Sequence, residues 1–96
     1  MIDKKKRIVD KKAMEAVRKA AQTHEGYYIC EYCMRWVESG EVHHIKSKGS
    51  GGDDVMENLI FLCWVCHRLA VHQGKIEKSV LIEIVKRRIQ RIRNQD

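Results

Sequence analysis

The four cysteines of this chain fall into two Cys-x-x-Cys pairs, Cys30/Cys33 and Cys63/Cys66. Each pair can offer two sulfurs to one metal through a tight turn, and two such knuckles complete the closed tetrahedral shell that Zn²⁺ takes. A closed shell has no open coordination position, so the zinc predicted by this spacing is structural rather than catalytic. Two disulfides would use the same residues in a secreted chain. No short apolar segment follows a charged N-terminus here, so the expectation is reduced, metal-binding thiols in a cytoplasmic protein.

A staple matters at this length. The chain has 96 residues, enough for one small domain whose core is modest. Metal binding would then contribute directly to folding. No run of ~18 apolar residues is present, so no membrane-spanning helix is expected.

Charge is distributed unevenly. Residues 1–24 hold eight Lys/Arg against three acids, residues 25–74 hold four against seven, and residues 75–96 hold seven against three. The segment with the candidate metal ligands is therefore acidic, and its flanks are basic. Basic flanks suit the phosphate backbone of a nucleic acid, although solvated helix faces have the same composition.

The apolar pattern predicts a helix over Lys4–His24 with a stripe at Val9, Ala13, Ala16, Val17 and Ala20, stopped by Gly26. Residues 27–46 read as extended, with a turn at Ser39-Gly40 before a short strand from Val42 to Ile45. Residues 47–54 are loop, Leu59–Leu62 is a second strand, and Trp64–Gln73 is a helix closed by Gly74. A last amphipathic helix spans Ile76–Asn94, with Ile82, Val85, Ile89 and Ile92 on one stripe and Arg87, Arg88, Arg91 and Arg93 mostly outside it. That stripe either packs on its own domain or pairs with a second copy as a homodimer. The expected organisation is one domain over 1–96: a basic N-terminal helix (1–26), a zinc-stapled core (27–74) and a basic C-terminal helix (75–96).

Histidines accompany the cysteines in a pattern that the zinc does not need. His43-His44-Ile45, the Gly51-Gly52-Asp53 loop, Glu57-Asn58-Leu59 and Cys63-Trp64-Val65-Cys66-His67 together resemble the HNH endonuclease family, in the branch stapled by paired cysteines. The resemblance runs from about Cys30 to His72 and implies an α+β fold with a small ββα-metal core. It also implies His43 and His67 as ligands of a catalytic divalent metal (Mg²⁺, Mn²⁺, Ni²⁺ or Zn²⁺), His44 as general base and Asn58 as the residue that orients it. Several family members carry a further histidine ligand four residues after the position of His67, where this chain has Val71. His72, one residue on, is a candidate ligand, phosphate contact or plain surface residue.

The residues argue in the same direction. Consecutive side chains on a strand point to opposite faces, so His43 and His44 are expected to divide their work. Cys66 and His67 are about 100° apart around a helix, so one turn can face two metals. A histidine of ordinary pKa is largely neutral near pH 7 and can take a proton from water. Lys46, Lys48, Arg68, Arg87, Arg88 and Arg91 are candidate phosphate contacts. The expected function is a metal-dependent DNA nuclease that nicks with low sequence specificity. The competing readings are a non-catalytic zinc-knuckle DNA-binding module and an accessory subunit of a larger nuclease or packaging complex.

Overall fold

The computed structural model describes residues 6–71 and 73–94. α1 (Lys11–Ala20) leads into a short antiparallel hairpin of β1 (Tyr28–Ile29) and β2 (Trp36–Val37). A second hairpin follows, β3 (Gly40–His44) against β4 (Leu59–Cys63). α2 (Trp64–Val71) continues directly from β4, and α3 (Lys78–Arg93) comes last. The fold is α+β, and β3, β4 and α2 form the expected ββα unit.

β4 organises the core because all five of its residues are buried. Leu59 and Phe61 pack with Val42 and with Val17 and Ala21 from α1 and its end. Ile60 and Leu62 face the other way, toward Ile45, Ile76, the cysteines, and Leu81 and Val85 of α3. A strand covered on both faces reads as a continuous apolar run. β3 is covered less evenly: Val42 and His44 are buried while Glu41 and His43 stay half-buried. Glu31 occupies the free edge of β4, where its N–H donates to the Phe61 carbonyl at 2.9 Å. Its carboxylate accepts the Phe61 N–H at 2.8 Å.

The predicted turn at Ser39-Gly40 is shorter than expected, because Gly40 already belongs to β3 and pairs with Cys63. A Cβ on Gly40 would lie 2.5 Å from the Leu62 carbonyl oxygen and 2.6 Å from the Phe61 ring, so the hairpin closes only over glycine.

The first helix is also shorter than the sequence pattern predicts. Asp10 caps it by accepting the N–H groups of Lys12 and Ala13, the ordinary way to satisfy first-turn donors. Residues 6–10 are not helical and run along the loop before β4, where Asp54 N–H donates to the Ile8 carbonyl at 2.8 Å. Lys4 and Lys5 lie outside the described residues.

α3 corrects the predicted stripe. Its buried residues are Leu81, Val85 and Arg88, while Ile82 and Ile92 remain 40% and 45% exposed. Arg88, expected among the phosphate contacts, is 4% exposed. Its Nη1 donates to the Glu31 carboxylate at 2.7 Å, and its Nη2 donates to the carbonyls of Met56 and Leu59 at 2.7 and 3.0 Å. An arginine stem packs much as an apolar side chain does, and here the head finds a largely shielded carboxylate, 11% exposed. Arg88 pins α3 to the core and is not free to meet DNA.

Candidate metal centre and histidine site

Four cysteines converge from two elements. Cys30 and Cys33 flank the turn after β1, Cys63 ends β4, and Cys66 sits in the first turn of α2. All four are free thiols, and their sulfurs lie within 4.8 Å of one another. The Cys33 and Cys63 sulfurs are 3.8 Å apart. A tetrahedron built on Zn–S bonds of about 2.3 Å has edges of roughly 3.8 Å, so the donor set fits zinc. Cys33 N–H donates to the Cys30 sulfur and Cys66 N–H to the Cys63 sulfur, each at 3.5 Å. Met34 takes φ 65° to close the first knuckle.

Burial pushes the Cys30 and Cys66 thiols above the ordinary value of 9. Cys63 goes down, because the Cys66 N–H and the neighbouring thiols outweigh the opposing effect of burial. Thiols this close cannot all ionise alone, and a divalent cation held by them would resolve the conflict.

The ring of His43, half-buried on β3, lies 5.4 Å from that of His67 on α2, with the planes at 82°. His67 directly follows Cys66, so the sulfur cluster also fixes where this imidazole stands. His43 is pushed down to about 4, first by burial and then by the charges of His67, His44 and Lys78. Its ring is therefore uncharged at neutral pH and keeps a lone pair for a cation. Trp64 walls the site with its ring 6.0 Å from His67, and its indole N–H donates to the Ser39 hydroxyl at 2.9 Å. Among the described residues no further His, Cys, Asp or Glu joins this pair closely enough to make a three-residue group. His72 lies outside the described residues.

His44 points to the opposite side of β3 and is 7% exposed. Its Nε2 is 2.6 Å from the Asp54 carboxylate, and Asp54 is itself 2% exposed. The contact with His44, then the Asp10 N–H and Arg7, hold the Asp54 carboxyl well below its ordinary 3.8 against the effect of burial.

Asn58 ties the loop shut beside them. Its Oδ1 accepts the Lys46 N–H at 2.7 Å, and its Nδ2 donates to the carbonyls of Lys46 and Asp53 at 3.1 and 3.0 Å. Gly52 permits this closure, because a Cβ there would stand 1.8 Å from the Lys46 carbonyl oxygen.

Of the basic candidates, Lys46, Lys48, Arg68, Arg87 and Arg91 are exposed. Arg87 is paired only loosely with Glu83, at 4.0 Å. Sequence reasoning missed Asp54, Arg7 and Glu31. Asp10 carried a readable sign, an aspartate at a helix start, whereas the contacts of Asp54 and Glu31 are long-range and leave no local pattern.

A β-hairpin followed by a helix, with a zinc-compatible thiol cluster at their junction and a pair of imidazoles contributed by strand and helix, fits a ββα-metal segment. The HNH endonuclease family model matches residues 30–73, a little under half of the chain. The match supports a nuclease-type function in general. No curated protein matches the chain. No helix among the described residues is long and apolar enough to cross a membrane.

Proposed function

We propose that the chain is a metal-dependent DNA endonuclease that hydrolyses phosphodiester bonds. The observation that carries this reading is the approach of the His43 and His67 rings to 5.4 Å, with His44, the next residue of the strand, braced separately by Asp54. His43 and His67 would hold a divalent metal, which when bound supplies Lewis-acid stabilisation of charge at the scissile phosphate and the departing oxygen. His44 takes the proton from the attacking water. With Nε2 turned to Asp54, the free Nδ1 is the accepting atom. Asn58 acts by holding the backbone at Lys46, two residues past the base, in place. Lys46, Lys48 and Arg68 near the site, and Arg87 and Arg91 on α3, contact phosphates and orient the strand. Each ββα unit has one such site, so a monomer nicks; cutting both strands takes two encounters or a homodimer.

The test is incubation of supercoiled plasmid with the protein and Mg²⁺, Mn²⁺, Ni²⁺ or Zn²⁺, comparing wild type with His44→Ala. Conversion to nicked circles by wild type alone is the expected result. If no metal yields nicked product, or the variant matches wild type, the assignment fails.

A further inference from the structure

We infer that Asp54, held by the N-terminal strap Arg7–Asp10, is the positioning residue for His44. It fixes the ring with the proton on Nε2 and leaves Nδ1 as the nitrogen able to accept one. This rests on the reading of His44 as the base, and it brings into the site residues that lie outside the matched segment 30–73.

A neutral imidazole can carry its proton on either nitrogen, and the partner of one nitrogen decides the role of the other. An ionised carboxylate only accepts, so Asp54 at 2.6 Å requires a proton on Nε2. Asp54 is in turn fully committed. The Oδ1 that meets His44 also accepts Arg7 Nη1 at 2.8 Å, and its Oδ2 accepts the Asp10 N–H at 2.9 Å. The strap is fastened three times more: Ile8 N–H donates to the Asp53 carboxylate at 2.7 Å, the Ile8 carbonyl accepts the Asp54 N–H at 2.8 Å, and Arg7 Nη1 donates to the Gly52 carbonyl at 3.3 Å. A carboxylate gripped from three directions cannot rotate away from the imidazole. The arrangement follows the logic of a carboxylate that orients a catalytic histidine without taking its proton. It also explains why Asp10 ends the strap as a helix cap: α1 anchors one end of the clamp.

The experiment uses full-length, zinc-loaded protein with ¹⁵N-labelled histidine. Long-range ¹H–¹⁵N spectra, with His44 assigned by its loss in His44→Gln, report which ring nitrogen is protonated. Wild type should show the proton on Nε2, and Asp54→Ala should show a mixed or reversed tautomer. In plasmid nicking Asp54→Ala should lose about 10–100-fold in kcat with KM little changed, the range typical of a lost supporting partner. Arg7→Ala, which leaves Asp54 in place, should move both readouts the same way by less, and it serves if Asp54→Ala does not fold. A wild-type His44 protonated on Nδ1, or an Asp54→Ala protein with unchanged tautomer and kcat, overturns the proposal. A wild type with the Nε2 proton that cuts no DNA overturns the base assignment alone and supports the contact with Asp54.

Discussion

The sulfur cluster and the histidine group share the Cys66-His67 step of α2, yet they are built on opposite plans. The four sulfurs are closed on one another within 4.8 Å and draw on two knuckles alone. The imidazoles stand apart, with His43 and His67 as a half-buried pair and His44 turned inward to a carboxylate. A cluster with every donor turned inward can only hold structure together. A group with free nitrogens and a braced loop can hold something that changes. The lesson is that one turn of α2, Cys66-His67, joins a region under stability constraint to one under chemical constraint. Damage to each should therefore be distinguishable.

The largest expected effect lies on the sulfur side. Cys66→Ser should leave the protein without tightly held zinc and without cooperative structure. Structural zinc contributes about 10–16 kcal/mol in small domains, against a total stability of about 5–15 kcal/mol. Metal analysis and circular dichroism check this; a Cys66→Ser protein that melts like wild type would break the comparison. Next comes His44→Ala, which should keep its zinc and its cooperative fold while nicking falls by about 10²–10⁴-fold.

How far these assignments could be read from the sequence depends on the range of the interaction. The cysteine pairs, His43-His44 and the apolar run Leu59–Leu62 carry their geometry in short spacing, and the strands and the thiol cluster are where that spacing puts them. The first helix is shorter than its apolar stripe because Val9, which fits the stripe, belongs to the strap held by Asp53 and Asp54, more than forty positions along the chain. Arg88 departs from its sequence pattern for the same kind of reason. Its partners Glu31, Met56 and Leu59 come from other elements, and periodicity ranks an arginine as surface. Local pattern gives the ligands and long-range hydrogen bonding gives their supports.

Two arginines next to each other sharpen that point. Arg88→Met should cost about 3 kcal/mol in urea unfolding, because it leaves the largely shielded Glu31 carboxylate without its charged partner. It should change DNA affinity little in whatever protein remains folded. Arg87→Met should do the reverse: stability stays within about 0.5 kcal/mol, while the salt dependence of DNA binding loses about one unit of slope. Equal effects on DNA affinity would return Arg88 to the surface role its sequence context suggested.

The smallest effect concerns acid. The folded Asp54 carboxyl titrates below its ordinary 3.8, so the folded state binds this proton less readily than the unfolded chain does. By linkage, the stability it contributes is fully present above that ordinary value and is lost as pH falls toward the folded value. Protonated aspartate resembles asparagine in shape and charge, so Asp54→Asn should be less stable than wild type at pH 7, and the gap should narrow below pH ~4. Urea unfolding at pH 7 and pH 3 measures it. A gap of constant size would mean that shape rather than charge holds the strap to the loop. The clamp around His44 would then be a packing device, and the contrast between the two regions would lie in their donors alone.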